Sequence, residues 1–169
     1  LHNVAGSPAH NVTIYDQIPN QADGGTCDVP PSQFTAQVFD STGNTAVSPL
    51  LVEGTDYSVA FVGDPDCTIT IRVLTDVGAI GPDERLIVTY ETRLDDDTRN
   101  GVALTNVAGA TEWFGGDASN PDRQTFTRTL TNGTVGTVDH EDAHTVTTAL
   151  TGYFYEKTVA NLTTGISPA

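Results

Sequence analysis

The sequence predicts an all-β fold of the β-sandwich class. Thr, Val and Gly are abundant along the chain, and many short segments alternate apolar and polar residues with a period of two. Clusters of turn-forming residues separate these segments, and no segment shows the periodicity of an amphipathic helix. Many short strands at regular spacing, with turns between them, are typical of a sandwich.

The alternating pattern recurs in segments that we predict to be strands. In chain order they span residues 10–16, 34–39, 57–62, 67–74, 85–94, 102–108, 125–130 and 146–159. The sequences "GDPD", "DDDTRNG", "GGDASNPD" and "TNGT" fall between them and predict turns, and residues 80–84 ("IGPDE") predict one further short turn. We find neither an internal repeat nor a shift of composition that would mark a second core.

Composition restricts the partners of the chain. Its 169 residues are enough for one well-buried domain, and its formal net charge is -15. This charge repels nucleic acid and anionic membranes, and no apolar run is long enough to span a bilayer. Such acidity fits an extracellular or saline setting, where carboxylates meet hydrated cations, and simple solubility is the alternative explanation.

The two cysteines predict one disulfide. Cys27 lies in "GGTCDVPP" and Cys67 in "GDPDCTIT", and both have acidic and turn-forming neighbours. A nearby carboxylate raises the pKa of a thiol, so neither resembles an activated nucleophile. Since two cysteines allow only one pairing within the chain, we expect Cys27 to bond Cys67; two free thiols in a cytosolic protein are the alternative.

The two ends of the sequence do not coincide with the beginning and the end of a domain. Residues 1–9 ("LHNVAGSPA") read as the end of a strand followed by a turn, and residues 157–169 read as the first strand and turn of a new unit. The chain starts with Leu1 and shows no signal peptide, so we expect a mature or trimmed fragment of a longer protein. We therefore expect a domain over residues 1–156 and a terminal strand or linker over 157–169.

Several motifs resemble a family of bacterial surface domains. "SPAHNVTIYDQIP" is similar to the signature of DUF11-type repeats, in which a strand ends in Asp and is followed by an apolar residue and Pro. "RLIVTYETRLDDDTRNGVALTNVAGA" resembles the later strands and acidic loop of that family, and "YEKTVANLTTG" resembles its Lys-bearing first strand. The resemblance covers most of residues 9–110 and 155–165, and the order of the motifs makes it more specific than any one of them.

The resemblance implies an immunoglobulin-like sandwich on adhesins or fimbriae. Some members of this group and of the related fimbrial domains form a Lys–Asn isopeptide bond with the help of a buried acid. Carried over to this sequence, the acid is Asp16, the carboxamide is Asn106 and the amine is Lys157. Burial would favour the neutral amine that attacks the amide, and a neutral buried acid could polarise the carbonyl and shuttle protons.

The order of these residues departs from the family pattern. In the family the lysine strand comes first, whereas Lys157, which is the only lysine in the chain, follows both Asp16 and Asn106. Two explanations are open. The chain is a slice of a tandem array, or the terminal strand of one subunit completes the sandwich of its neighbour by donor-strand exchange. An ordinary strand-edge lysine that discourages aggregation is the structural alternative for Lys157.

The sequence "HEDAH" matches the H-E-x-x-H pattern of zinc proteases. That pattern needs a helix to place His140 and His144 on one face with Glu141 as the general base. The flanking residues are β-prone and no third ligand follows closely, so we expect a polar segment rather than a zinc enzyme.

Acidic loops could bind Ca²⁺, since clustered oxygen ligands on turns suit this ion, but none has EF-hand spacing. Solvated acidic turns are the alternative. The candidate ligands are Asp95, Asp96, Asp97, Asp117, Asp122, Asp139, Glu141 and Asp142, with Asn100 and Asn120 nearby. Trp113 and Phe114 could form an exposed platform that stacks on sugars, and packing inside the protein is the alternative for them.

The sequence therefore predicts an extracellular structural protein and not an enzyme. We expect copies of the chain to be joined end to end through terminal strands, with neighbouring copies as partners and no required cofactor. Neither nucleic acid nor membrane insertion is expected. Two functions stay open as alternatives: an adhesin module that binds carbohydrate or protein through Trp113 and Ca²⁺-binding loops, and a zinc metalloenzyme built on "HEDAH".

Overall fold

The computed structural model of the chain describes residues 1–131 and 140–150. Regular structure in this part of the chain is almost entirely β, with one short 3-10 turn at Asp76–Gly78, so the predicted all-β class is confirmed. None of its helical segments is long and apolar enough to cross a membrane. The strands are β1 (His10–Gln17), β2 (Asn20–Gln21), β3 (Gly24–Gly25), β4 (Ser32–Phe39), β5 (Tyr57–Val62), β6 (Thr68–Val73), β7 (Arg85–Glu91), β8 (Ala103–Phe114), β9 (Thr125–Thr127) and β10 (Glu141–Thr147).

The described strands form two facing antiparallel sheets and a small hairpin. The larger sheet has the order β10-β8-β1-β6-β5, with β9 also paired to β8. The smaller sheet is β4-β7, and β2-β3 is the hairpin. β1 lies at the centre of the larger sheet, and its residue Asp16 pairs with Ile69 of β6 and Ala108 of β8.

One hydrophobic core lies between the two sheets. Because side chains alternate along a strand, every second residue of β1 faces it, and Val12 is 1% exposed. Ile69 and Ile71 of β6 meet Val38 of β4 and Leu86 of β7 in the same buried cluster. The period-two pattern in the sequence therefore identifies the apolar face of each of these strands.

The strand ends show where pairing overrides the local pattern. β5 has the predicted bounds, whereas β8 continues to Phe114 because its second half pairs with both β1 and β9. β9 ends at Thr127, earlier than predicted, and β10 begins at Glu141, before the predicted residue 146. The predicted turn at residues 80–84 is present, since Glu84 N–H donates to the carbonyl of Gly81. The part of the last predicted strand after residue 150 lies outside the described residues.

A disulfide fastens the loop after β3 to the start of β6. Cys27 and Cys67 are bonded, with Cα atoms 5.6 Å apart and a sequence separation of 40. Both side chains belong to the buried core. The bond holds together two segments that are distant in sequence.

Removing this bond should destabilise the fold strongly. For a closed loop of this length, the chain-entropy argument predicts that the Cys27→Ala/Cys67→Ala variant loses about 4 kcal/mol of unfolding free energy. Guanidinium chloride titration of both chains measures the difference, and wild-type chain in reductant serves as the control without mutation. A loss below about 1 kcal/mol would contradict the prediction.

The N-terminal segment, residues 1–3, borders the smaller sheet. Leu86 N–H donates to the carbonyl of Leu1 at 2.9 Å, and the Leu1 ammonium donates to the carbonyl of Leu86 at 2.8 Å. His2 forms an antiparallel bridge with Arg85, and the Asn3 side-chain amide donates to the carbonyl of Ile80 at 2.8 Å. The segment therefore covers only the first part of the β7 edge and runs antiparallel to it.

Candidate functional site

The described sandwich is open along one side, between β7 and β10. These two strands are the neighbouring edges of the two sheets, and beyond residues 1–3 no described segment pairs with the free edge of β7. The resulting open groove has a volume of about 990 Å³. Its walls include Ile14, Asp16, Val88, Tyr90, Asn106 and Ala108.

Asp16 is the buried acid of the open groove. It is 5% exposed because the alternation of β1 puts it on the same inward face as Val12 and Ile14. Tyr90 Oη donates to Asp16 Oδ2 at 2.6 Å, whereas Asp16 Oδ1 is buried and has no hydrogen-bond partner among the described residues. An unsatisfied buried acceptor is costly, and such groups call for an explanation.

Burial dominates the protonation of Asp16. Loss of hydration disfavours the carboxylate and raises the pKa of Asp16, while the Tyr90 hydroxyl and the Asn106 amide partly oppose this shift. The pKa of Tyr90 is also raised, chiefly by burial and then by the charge of Asp16. Tyr90 therefore stays a hydroxyl donor, and its ring is held by stacking on Phe34 with a centroid distance of 5.2 Å.

The strand register brings Asn106 to the same face as Asp16. Asp16 lies directly opposite Ala108, and Asn106 is two residues before Ala108 on β8. Asn106 is half-buried at the wall of the open groove. The sequence-based pairing of Asp16 with Asn106 is thus compatible with the structure, while Lys157, the third member, lies outside the described residues.

Sequence reasoning did not place three side chains on this face. Tyr90 was not singled out, although the alternation of "RLIVTYE" places it inward with Leu86. On β10, Asp142 is opposite Ala108 and His144 is opposite Asn106, so both lie on the groove face. The sequence had assigned Asp142 to Ca²⁺ and His144 to a zinc motif, because a single sequence does not give the register of β10 against β8.

The "HEDAH" motif lies at the start of β10 and not on a helix. Glu141 is buried and accepts hydrogen bonds from the backbone N–H and the hydroxyl of Thr131, the N–H at 2.7 Å. His140 Nε2 lies 3.0 Å from the carbonyl oxygen of Thr129. No group of three or more His, Cys, Asp or Glu within residues 1–131 and 140–150 is placed to hold a metal. The contacts of Glu141 and His140 fasten residues 129–131 to β10.

The acidic loops use part of their charge for local structure. Asp95 is buried and accepts from the backbone N–H of Cys27 at 3.1 Å and of Asp28 at 2.8 Å. Asp96 pairs with Arg93 at the surface at 3.2 Å. The negative charge of this loop, led by Asp95, raises the pKa of Asp28.

The second predicted calcium loop is also organised by its own turn. The Asp117 side chain accepts from the backbone N–H of Ser119 at 2.8 Å, and hydrogen bonds from Ser119 lower the pKa of Asp117. Asp122 N–H donates to the Asn120 side chain, and Asp97 follows Asp96 at the surface. Asp139 lies outside the described residues. Calcium binding at either loop stays a prediction.

Trp113 packs within the β8–β9 hairpin. It stacks on Phe126 with a centroid distance of 5.6 Å, and the guanidinium of Arg128 lies 5.7 Å from its centroid. The guanidinium of Arg123 lies 3.9 Å from the centroid of Phe114. Both aromatic rings of the predicted sugar platform are half-buried, and each already has an arginine guanidinium near its ring.

Comparison with known proteins adds no relative. No protein family and no curated protein matches the chain.

Proposed function

We propose that the chain is a structural unit of an extracellular bacterial surface fibre or adhesin. In this proposal the fold is an immunoglobulin-like sandwich that the terminal strand of a neighbouring copy completes. Copies are joined end to end, and a covalent bond between Lys157 and Asn106 locks the joint. The observation that carries the proposal is the buried Asp16 carboxyl, whose Oδ1 has no partner among the described residues and which lies beside Asn106 in an open groove.

The open groove supports completion by another strand. A free sheet edge presents unpaired N–H and C=O groups, which natural proteins cover or use for strand addition. Apolar residues Ile14, Val88 and Ala108 line the groove and are only half-buried. An extended segment laid here would bury these side chains and hydrogen-bond the free edge of β7.

The polar end of the groove supports a Lys–Asn condensation. A neutral Lys157 Nζ would attack Asn106 Cγ, forming the Nζ–Cγ bond and breaking the Cγ–Nδ2 bond. The nitrogen of Asn106 would leave as ammonia, taking the proton that the attacking amine releases. Asp16, whose raised pKa increases its protonated share, would hydrogen-bond the Asn106 carbonyl and relay this proton. The step needs no oxidant, reductant or metal.

Other properties of the chain agree with an extracellular structural role. A disulfide is expected where the surroundings are oxidising, and Cys27 and Cys67 form one. The formal net charge of -15 favours solubility of the separate chain and disfavours nucleic acid as a partner.

Denaturing, reducing electrophoresis with intact mass measurement of each band tests the proposal. We expect a ladder of multiples of the chain, in which each joint lacks the mass of one ammonia. A single band that lacks one ammonia would place the bond within one chain. A single band at full mass would contradict the covalent joint, and size-exclusion chromatography would then show whether copies associate without it.

A further inference from the structure

The larger sheet has a free edge at β5, in the middle of the chain. β5 lies at the side of this sheet opposite β10, and its strand partner among residues 1–131 and 140–150 is β6. The segment before β5 covers only the beginning of the edge: Gly54 N–H donates to the carbonyl of Tyr57 at 2.7 Å, and Glu53 forms a parallel bridge with Tyr57. Beyond Tyr57 no described segment pairs with this edge, so residues 59–62 are open to a further strand.

The direction of the backbone groups of β5 shows which of them are open. The carbonyl of Tyr57 points away from β6, since it bonds the segment before β5. Successive residues of a strand direct their N–H and C=O groups to opposite sides, so those of Val59 and Phe61 also point away from β6. The groups of Ala60 point to β6, where Thr70 lies opposite. An added strand can therefore hydrogen-bond Val59 and Phe61 without disturbing the existing sheet.

The side chains of β5 leave this edge unprotected. Natural edge strands often carry lysine, proline or an inward-pointing charge that prevents further pairing. The sequence of β5 is "YSVAFV" and contains none of these residues. Val59 and Phe61 pack against the core, whereas Ala60 and Val62 are exposed on the other face. An added strand would continue both faces of the larger sheet.

The segments on both sides of β5 are acidic. Two carboxylates lie before β5 and two lie in the turn after it: Glu53, Asp56, Asp64 and Asp66. Within the described ranges none of them forms an ion pair with Lys, Arg or His. β6 carries one cation, Arg72, which is exposed opposite Ser58. The open, uncharged edge of β5 is thus bounded by negative charge at each end.

This distribution of charge disfavours a second copy and favours a basic strand. If the β5 edges of two copies paired in either direction, acidic segments would lie beside acidic segments, and each chain has a formal net charge of -15. Like charges placed together across an interface are unfavourable, whereas opposite charges select the partner and set its register. A strand with Lys or Arg at both ends would meet the flanking carboxylates while its uncharged centre bonds the edge.

We infer that the free edge of β5 binds an extended segment of a different protein, which adds to the sheet as a strand and carries Lys or Arg on both sides of an uncharged centre. The segment hydrogen-bonds the N–H and C=O groups of Val59 and Phe61, and its cations lie beside Asp56 and Asp64. This interface goes beyond the proposed function. β5 belongs to the larger sheet and β7 to the smaller one, so partner binding and the joining of copies use separate edges.

Synthetic peptides test the inference on the full chain. The probe KVTVTVTVK has an alternating centre between two lysines, and its nine residues match the length of Asp56–Asp64. EVTVTVTVE reverses the end charges. KVTPPPTVK keeps the charges and the length but replaces the centre by proline, which has no N–H to donate.

Hydrogen exchange measured by NMR at low salt gives the readout. With saturating KVTVTVTVK, the amides of Val59 and Phe61 should exchange at least about tenfold more slowly than in the chain alone. The amide of Ala60, which points to β6, is the internal control and should change little. Neither EVTVTVTVE nor KVTPPPTVK should give this protection.

A pair of matched variants tests the contribution of charge. Glu53→Gln combined with Asp64→Asn should weaken binding of KVTVTVTVK by about threefold or more, since exposed ion pairs each contribute modestly. Glu112→Gln combined with Asp83→Asn removes the same charge away from β5 and should leave the affinity unchanged. Equal weakening by both pairs would show that only the net charge matters and would overturn the inference.

Three other results would also overturn the inference. Slow exchange of Val59 and Phe61 in the chain alone would show that the edge is already covered. Protection that grows with chain concentration in the absence of peptide would identify a second copy as the occupant. Equal protection by KVTPPPTVK or EVTVTVTVE would show that binding depends on charge without strand addition, or on strand addition without charge.

Discussion

The Lys157→Arg variant is expected to abolish covalent joining of copies, so that denaturing electrophoresis shows a single band at full mass. Arginine keeps the positive charge and the length of the side chain, but its guanidinium stays protonated at any ordinary pH and cannot attack an amide. The chain has no other lysine that could replace Lys157. The expected effect is therefore complete loss of the ladder, and not a partial decrease.

Asn106→Ala should remove the ladder equally, because it deletes the carboxamide that loses ammonia. Asn120 provides a matched control, since it is an exposed loop asparagine whose replacement by Ala should leave the ladder unchanged. Circular dichroism of each variant shows whether the fold is retained. A ladder that persists in Lys157→Arg would sink the isopeptide proposal, because no other primary amine except the chain N-terminus is present.

The N-terminal amine is a poor substitute for Lys157 in the bond to Asn106. The Leu1 ammonium donates to the carbonyl of Leu86, and burial followed by the charge of Arg85 lowers its pKa. It is thus more readily neutral than an exposed amine, but it is held at the beginning of β7, whereas Tyr90 and Asp16 lie near the end. Peptide mapping of any residual product would distinguish a bond to Leu1 from a bond to Lys157.

The inward face of each strand could be predicted from the sequence, whereas the candidate acid Asp16 came from the family resemblance. The period of two in "VTIYD" agrees with the position that the structure gives Asp16, on the same face as Val12 and Ile14. The same reasoning gives β5 its observed bounds. Local alternation is reliable here because the two sheets each bury one face against a single core.

The open groove could not be predicted, because it depends on contacts that are distant in sequence. Leu1 and Leu86 are 85 residues apart, and their pairing covers the first part of the β7 edge. Tyr90 and Asp16 are 74 residues apart. Periodicity indicates which way a side chain faces but not which strand lies opposite, so His144 could not be placed beside Asn106.

Asp16→Asn should change stability and joining in opposite directions. Burial raises the pKa of Asp16 above its unfolded value of about 3.9. The contribution of protonated Asp16 to the unfolding free energy is therefore fully present below that value, and it is lost as pH rises through the raised pKa. Asparagine keeps an acceptor for Tyr90 and carries no charge. In a Lys157→Arg background, where no joint forms, the Asn variant should be more stable than Asp16 by about 1 kcal/mol at neutral pH.

The stability difference should shrink toward acid pH, where Asp16 is protonated in both the folded and the unfolded chain. Comparing the two chains at each pH by guanidinium chloride titration removes the contributions of all the groups that the two chains share. A difference that does not vary with pH would contradict burial of the Asp16 charge.

In the Lys157 background the same substitution should slow the covalent joint by about 100-fold or more, since Asn cannot relay a proton. The time course of the ladder measures this rate. Tyr90→Phe is the matched control, because it removes the hydrogen bond to Oδ2 and leaves the acid in place. A chain that is stabilised by Asp16→Asn and yet fails to join would show that the acid is retained for the chemistry of the joint at a cost to the stability of the separate copy. Unchanged joining would leave the buried Asp16 without a function in the proposed bond.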